Sequence, residues 1–162
     1  AFLGLGGYYE WGESGDDNPA NNANNHYAWT IDGTLEGHGF SLFTAAVGRH
    51  NAKDAPPLDQ YGFLIQASGK IPRDMELYSR YEYFDFGGLS VIGNGSPVIN
   101  SEVNVVTVGI NKYFNRHGAK LNVELMRILD PFPVSRTMLG VLADGADSKG
   151  QTVLRSQFQL FF

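Results

Sequence analysis

Charged and amide side chains recur at alternate positions in several stretches of the sequence. Glu76, Arg80 and Glu82 share one parity, and Asn122 and Glu124 do the same further along the chain. Such groups on one face can set the electric field along an aqueous path, or they can pair and fill a narrow interior. The residues that we predict to line such a path are Asp32, Glu36, Gln66, Glu76, Arg80, Glu82, Asn111, Lys120, Asn122, Glu124, Arg155 and Gln157.

No pattern in the sequence is typical of an enzyme or a metal site. His26, His38, His50 and His117 lie in or beside predicted loops, and none belongs to an H-x-x-x-H pair. The chain has no cysteine, which excludes disulfides and Cys-based metal sites. It also lacks the G-x-S-x-G motif of serine hydrolases. We therefore predict no enzymatic activity, no bound metal and no cofactor.

Composition narrows the class of protein further. The 162 residues are enough for one domain, which we assign to the whole range 1–162. A formal net charge of −5 argues against a nucleic-acid partner, because such binding usually needs a basic surface. No apolar run approaches the roughly 20 residues of a membrane-spanning helix. The mean hydropathy of −0.21 is nevertheless compatible with strands that alternate lipid-facing and water-facing residues.

The elements that must position the polar side chains are β-strands. Period-2 alternation recurs between clusters of Gly, Asn, Asp and Pro, whereas helical periodicity is scarce. We predict eight strands, at about 2–11, 27–36, 40–48, 61–69, 75–84, 102–114, 119–129 and 151–162. The strands at 2–11 and 40–48 are rich in glycine, so the sequence does not indicate which of their faces is polar.

Long and short connections alternate along the chain. The short ones are 37–39, 70–74 and 115–118, and the long ones are 12–26, 49–60, 85–101 and 130–150. A soluble sandwich has no reason to sort its loops in this way, whereas a transmembrane β-barrel has short turns on one side and long loops on the other. A charge would cost about 2–4 kcal/mol on the lipid face and little in a watery interior. We therefore predict an antiparallel, up-and-down transmembrane β-barrel.

Two stretches resemble a known family. They are YGFLIQASGKIPRDMELYSRYEYFDF (61–86) and VNVVTVGINKYFNRHGAKLNVEL (103–125), and the chain then ends on LRSQFQLFF (154–162). Together they are similar to the C-terminal half of porins of the phosphate-selective (O and P) type. The resemblance covers residues 60–162 well and 1–59 weakly. It implies an outer-membrane diffusion channel with sixteen strands, usually assembled as a homotrimer.

The number of strands leaves two arrangements open. The chain is either the C-terminal half of a sixteen-stranded porin, which we favour, or a small barrel that closes with eight strands. Eight strands leave an interior just wide enough for side chains, whereas sixteen leave an aqueous channel. Phosphate selectivity is not expected, because Arg80, Lys120 and Arg155 are outnumbered by carboxylates on the predicted polar face.

The sequence thus predicts a porin of the bacterial outer membrane, a passive diffusion channel for small polar solutes or ions. The alternative is a closed eight-stranded barrel with a structural or surface-interaction role through its long loops; a soluble sandwich or ligand-binding barrel is the third hypothesis. Both termini would be periplasmic and the long loops extracellular. The expected partners are outer-membrane lipid and lipopolysaccharide, small polar solutes or ions, and the barrel-assembly machinery, for which Phe158, Leu160 and Phe162 resemble the C-terminal recognition signal.

Overall fold

Eight antiparallel strands form one sheet in the computed structural model. The structure describes residues 1–10, 26–51, 58–87, 102–114, 118–130 and 150–160. The strands are β1 (Phe2–Glu10), β2 (His26–Gly37), β3 (Phe40–Asn51), β4 (Leu58–Ile71), β5 (Met75–Asp85), β6 (Glu102–Phe114), β7 (Ala119–Ile128) and β8 (Thr152–Leu160). These described ranges contain no helix, and hence no helix that is long and apolar enough to cross a membrane.

Each strand pairs with the next one in the chain, so the order in the sheet is β1 to β8. The prediction of an all-β, up-and-down fold with eight antiparallel strands is therefore confirmed. The sheet is not closed, because β1 and β8 make no contact with each other. A closed eight-stranded barrel is thus not the arrangement of the described residues. The outer edge of β1 and the outer edge of β8 are both free to pair with further strands.

Tight turns join the strands at one end of the sheet, which we call the short-turn end. His38 and Gly39 connect β2 to β3, with φ angles of 51° and 81°. Two successive residues with positive φ match the twist of a two-residue β-hairpin. Three residues connect β4 to β5, and Arg73 and Asp74 there have φ angles of 71° and 53°. The longer connections all lie at the opposite end, the long-loop end.

Two strands exceed their predicted lengths by three residues or more. The predicted strand 40–48 extends to Asn51, and the predicted strand 61–69 begins at Leu58 and ends at Ile71. The polar residues Arg49, His50 and Asp59 were expected in a loop, but the β3–β4 ladder continues through them. The ring nitrogen Nδ1 of His50 lies 2.7 Å from Asp59 Oδ1, so the two side chains satisfy each other across the ladder.

One face of the sheet is largely apolar, and no other described element covers it. Residues directly opposite each other in an antiparallel ladder lie on the same face, so the register assigns every strand residue to one of two faces. All the exposed large hydrophobic side chains except Phe2, Tyr8 and Val47 lie on the same face, which we call the apolar face. Leu5 and Leu154 are 75% and 72% exposed there. Such a continuous apolar surface marks an interaction with lipid or protein.

The opposite face, which we call the polar face, is not polar along its whole height. Near the long-loop end of β6, β7 and β8 it carries a buried apolar cluster of Val103, Val105, Met126, Ile128 and Val153. Side chains still alternate between the two faces there, but the residues on the polar face change from polar to apolar types. Thr107 marks the boundary and is fully buried, and its hydroxyl oxygen has no hydrogen-bond partner.

Candidate functional site

Every residue that the sequence predicts along an aqueous path lies on the polar face. The structure brings most of them together on β4–β8 and leaves Asp32 and Glu36 apart on β2. We call the polar face of β4–β8 the paired wall and that of β1–β3 the open wall. The proposed assembly residues Phe158 and Leu160 lie on the apolar face and are exposed. Phe162 lies outside the described residues.

Glu124 on β7 is the centre of the paired wall. Its carboxylate accepts hydrogen bonds from the Tyr78 hydroxyl and the Arg155 guanidinium. The guanidinium of Arg80 lies 4.0 Å away, and its Nε donates to Glu82 at 2.9 Å. The side chain of Glu124 is only 8% exposed. A carboxylate buried to this extent needs partners of opposite charge, and two guanidinium groups supply them.

A second carboxylate, Glu76 on β5, lies closer to the short-turn end. It accepts hydrogen bonds from the Ser68 hydroxyl at 2.6 Å, the Tyr113 hydroxyl at 2.6 Å and the Asn111 amide at 3.1 Å. The amide of Asn122 then donates to Asn111 and to Tyr78, both at 2.9 Å. These bonds join the surroundings of Glu76 to those of Glu124. The result is one continuous network from Ser68 on β4 to Arg155 on β8.

Tyr78 reaches Glu124 by crossing the intervening strand β6. The residue opposite Tyr78 in the ladder is Gly109, and the residue opposite Gly109 on the next strand is Glu124. A Cβ atom at Gly109 would lie only 2.4 Å from the Tyr78 ring and 2.5 Å from its hydroxyl oxygen. Glycine is therefore required at this position for the phenol to lie flat over β6 and bond to β7.

The contacts of the network run along the wall. They join residues of the same strand, of adjacent strands or of strands one apart. Among the residues that the structure describes, no hydrogen bond or ion pair links the paired wall to the polar face of β1 or β2. Four charged side chains, Arg80, Glu82, Glu124 and Arg155, thus pair with each other, as one of the two sequence hypotheses expects, but they do so laterally and not across the interior.

The paired wall borders an open cavity of about 520 Å³. It extends from Gln66 on β4 to Gln157 on β8, and the side chains of Lys120 and Asn122 also line it. A second cavity, of about 550 Å³, lies at the long-loop end among apolar and aromatic residues that include Tyr8, Phe84 and Phe86. Of these two cavities, the first borders the hydrogen-bonded network and the second does not, so the first is the stronger candidate for contact with a polar solute.

The open wall has a different character. Glycines at Gly4 and Gly6 leave space for the neighbouring side chains of β2, and a Cβ at Gly4 would lie 2.6 Å from Asp32 Oδ1. Asp32 and Glu36 form no ion pair with any described residue. Glu36 is exposed, and Asp32 is half-buried.

The structure also adds charged residues that the sequence prediction missed. The register places Arg49 and Lys70 on the polar face, because they lie opposite Ala28 and Glu76 respectively. With them and with Glu10, which lies opposite His26, the strands of this face carry six acidic and five basic residues: Glu10, Asp32, Glu36, Glu76, Glu82 and Glu124, with Arg49, Lys70, Arg80, Lys120 and Arg155. The face therefore carries both signs of charge in nearly equal numbers.

No metal site is visible in the described part of the chain, where no three His, Asp or Glu residues are grouped closely enough to hold an ion. No protein-family model matches the chain, and no curated protein or solved structure matches it significantly. The resemblance to porins therefore remains a prediction from the sequence motifs.

Proposed function

We propose that this chain forms part of the wall of an outer-membrane porin, a passive diffusion channel for small polar solutes or ions. The observation that carries the proposal is the separation of the two faces. One face carries nearly all of the exposed large apolar side chains, while the other holds a network of carboxylates, guanidinium groups and amides. The first face would be stable against lipid and the second against water. Closed transmembrane barrels have lipid on the outside and a polar interior in this way.

The half-porin arrangement is the form of the proposal that we favour. The unpaired edges of β1 and β8 would expose backbone N–H and C=O groups to hydrocarbon, which costs several kcal/mol for each unsatisfied group. Further strands must therefore pair with these edges in the membrane. The number of strands here is even, so β1 and β8 run in opposite directions, and eight more antiparallel strands would close a sixteen-stranded barrel with an aqueous interior.

The alternative is a closed eight-stranded barrel with a surface-interaction role. It would require β8 to pair with β1, and these two described strands are not in contact. The mass of the intact native polypeptide distinguishes the two arrangements. A mass near twice 17.8 kDa supports the half-porin arrangement, and a native mass of 17.8 kDa contradicts it.

Insertion into lipid tests the membrane assignment. We expect Val108→Arg, in the middle of the apolar face, to weaken insertion by about 2–4 kcal/mol, because a guanidinium at the midplane must be desolvated. The matched control is Gln157→Arg, which adds the same charge to the polar face and should leave insertion unchanged. Both variants are folded into lipid vesicles, and the inserted fraction is measured by flotation. A chain that stays monomeric and folded without detergent or lipid would contradict the proposal.

Conductance in a planar bilayer tests the channel itself. We expect ion conduction by the intact native protein and a shift of the reversal potential towards anion preference in Glu76→Gln and Glu82→Gln. Each substitution removes a negative charge from the polar face. A conducting protein whose reversal potential does not change in either variant would contradict a position of these side chains beside the conduction path.

A further inference from the structure

The cavity on the paired wall has a lining that is mainly positive. Arg80, Lys120 and Arg155 line it from three different strands, whereas Glu124 is the single carboxylate among the described residues of the lining. The volume of about 520 Å³ falls within the range of about 300–1,000 Å³ that ligand pockets occupy. Positive charges gathered on a concave surface raise the local concentration of anions. The polar face thus carries both signs of charge, but this cavity does not.

Lys120 on β7 is the cation of the lining that has no ionic partner. Its ammonium group makes no hydrogen bond or ion pair with any described residue. Its two ladder neighbours, Tyr113 and Gln159, are uncharged, and the carboxylate of Glu76 is engaged by three hydrogen bonds from neutral side chains. Lys120 is also half-buried, so its charge is partly removed from water. A carboxylate in the cavity would supply the counter-charge that it lacks.

The two guanidinium groups are held in place but keep free donors. Arg155 contacts Glu124 through one terminal nitrogen, and Arg80 donates to Glu82 through Nε at 2.9 Å. Each guanidinium carries five N–H donors, and those that remain make no hydrogen bond to other described residues. A carboxylate can accept two parallel hydrogen bonds from such a group. The cationic groups can therefore bind an anion without giving up the contacts that fix them.

The cavity also offers neutral hydrogen-bonding groups at its two sides. The amides of Gln66 on β4 and Gln157 on β8 make no hydrogen bond to other described residues. Each amide has two N–H donors and a carbonyl acceptor, so it suits a hydroxyl group, which both donates and accepts. The ladder places Gln157 opposite Asn122, the next residue after Lys120 on the same face of β7. A solute that reaches Lys120 with a carboxylate can thus reach Gln157 with a hydroxyl group.

The lining is fixed before any solute arrives. Tyr78 lies over Gly109 and is bonded to Glu124 and Asn122. Asn122 is bonded in turn to Asn111. Preorganised groups lose less conformational freedom on binding than mobile ones do, so even a small solute with few contacts can be retained briefly.

We infer that this cavity is a subsite for a hydroxylated organic acid that carries one carboxylate and is of about monosaccharide size. The inference rests on the proposed channel function, and it names the class of solute that the channel would favour. A small inorganic anion would fill little of the cavity and would leave the amides of Gln66 and Gln157 unused. Binding at such a subsite is weak enough for the solute to leave, which passive conduction requires.

Four probes separate the contributions of charge and of hydroxyl groups. Gluconate and glucose are both six-carbon polyols and differ in charge, whereas acetate and inorganic phosphate carry charge without the polyol. The intact native protein, folded in micelles of an uncharged detergent, is titrated with each probe at pH 7 in a calorimeter. We expect gluconate to bind about tenfold more tightly than each of the other three. No saturable binding of gluconate, or equal binding of glucose, acetate or phosphate, would overturn the inference.

A pair of lysine variants locates the binding on the paired wall. We expect Lys120→Gln to weaken gluconate binding by about tenfold, because the unpaired ammonium is lost. Lys70→Gln is the matched control, since Lys70 lies on the same face but outside this cavity and is exposed. A change of less than about twofold is expected there, because water and salt screen a distant charge. Equal losses in the two variants would indicate a general charge effect and overturn the subsite.

A variant of an amide tests the role of the hydroxyl groups. Gln157 is exposed, and Gln157→Leu removes its amide without touching the bonded network. We expect gluconate binding to weaken by about threefold to tenfold and acetate binding to stay unchanged. An unchanged gluconate affinity would contradict recognition of a hydroxylated acid at this cavity.

A charge variant provides an independent readout. Glu82→Gln leaves the Arg80 guanidinium without its 2.9 Å partner, so gluconate should bind several-fold more tightly than it does to the unaltered protein. An unchanged gluconate affinity would contradict a role of Arg80 in the subsite. Failure of the channel proposal would be seen separately, as a protein that neither inserts into lipid nor conducts ions, while the titrations in micelles report only on the subsite.

Discussion

The paired wall and the open wall share one face of the sheet but hold their charged side chains in different ways. On the paired wall, Glu124 is almost fully buried and is shared by Tyr78, Arg80 and Arg155. On the open wall, Asp32 and Glu36 are more exposed and have no ionic partner among the described residues. The same residue types thus stabilise the sheet in one region and remain available to solvent in the other.

This difference indicates a division of roles within one surface. A buried, bonded carboxylate contributes to stability, because removing it leaves its partners unsatisfied. An exposed, unpaired carboxylate contributes little to stability but acts directly on ions in the surrounding water. Substitutions at equivalent residue types on the two walls should therefore separate the two effects. Stability can be measured by urea unfolding of the intact native protein in lipid vesicles, followed by tryptophan fluorescence.

Substitution of a glutamate should give the largest difference in the free energy of unfolding between the two walls. Glu124→Leu should lower the free energy of unfolding by about 3–5 kcal/mol, because two guanidinium groups lose their partner in a buried position. The matched substitution Glu36→Leu on the open wall should change it by less than about 0.5 kcal/mol. Equal effects of the two substitutions would show that the walls do not differ in the way described.

Substitution of a glycine should cause the next largest loss of stability. Gly109→Ala should destabilise the sheet by about 1–3 kcal/mol, because the added methyl group would displace the Tyr78 ring. Gly69→Ala is the control, since a Cβ there would meet no atom within 4 Å. If both variants unfold at the same urea concentration as the unaltered chain, the close approach of Tyr78 to β6 is not significant for stability.

The hydroxyl of Tyr78 should contribute less than the position of its ring. Tyr78→Phe removes a donor to Glu124 and an acceptor for Asn122, and we expect a loss of about 1–1.5 kcal/mol. Tyr81→Phe is the control, because the Tyr81 hydroxyl bonds to Asn104 in an exposed position and should contribute less. A larger loss for Tyr81→Phe would argue against the importance of the buried network.

The smallest expected change in the free energy of unfolding is a stabilisation. The hydroxyl of Thr107 is buried without a hydrogen-bond partner, so Thr107→Val should stabilise the sheet by up to about 1 kcal/mol. Thr34→Val on the open wall is the control, because Thr34 is half-exposed and its hydroxyl can be hydrated. Destabilisation by Thr107→Val would indicate that this hydroxyl has a partner, such as a water molecule.

Much of the fold could be predicted from the sequence, because period-2 alternation is a strong signal for a sheet with two different faces. The eight strands, their order and the polar faces of β2 and β4–β8 all follow from it. The extension of β3 and β4 could not be predicted, because Arg49 and Asp59 are residue types that usually mark loops. In the glycine-rich strands β1 and β3, neither the odd-numbered nor the even-numbered residues are clearly polar. Only the ladder register assigns Gly4 and Arg49 to the polar face.

The candidate site could be predicted only in part. Parity places Glu76, Arg80 and Glu124 on one face, but it does not indicate which of them are bonded to each other. The role of Tyr78 was missed, because a tyrosine among charged residues gives no signal of the partner to which it bonds. That information depends on the glycine opposite it, and the pairing of Tyr78 with Gly109 is a property of the register, which the sequence does not reveal.

The bond between Tyr78 and Glu124 also bears on how the sheet finds its correct alignment. A slip of β7 by one residue would turn its apolar side chains to the wrong face, so the alternating pattern alone excludes it. A slip by two residues keeps both faces intact, and the pattern cannot exclude it. Such a slip would, however, carry Glu124 out of reach of a phenol fixed over Gly109. The network thus acts as a register lock on β5–β8, and we expect the strands of the open wall, which have no such lock, to be the ones that misalign during folding.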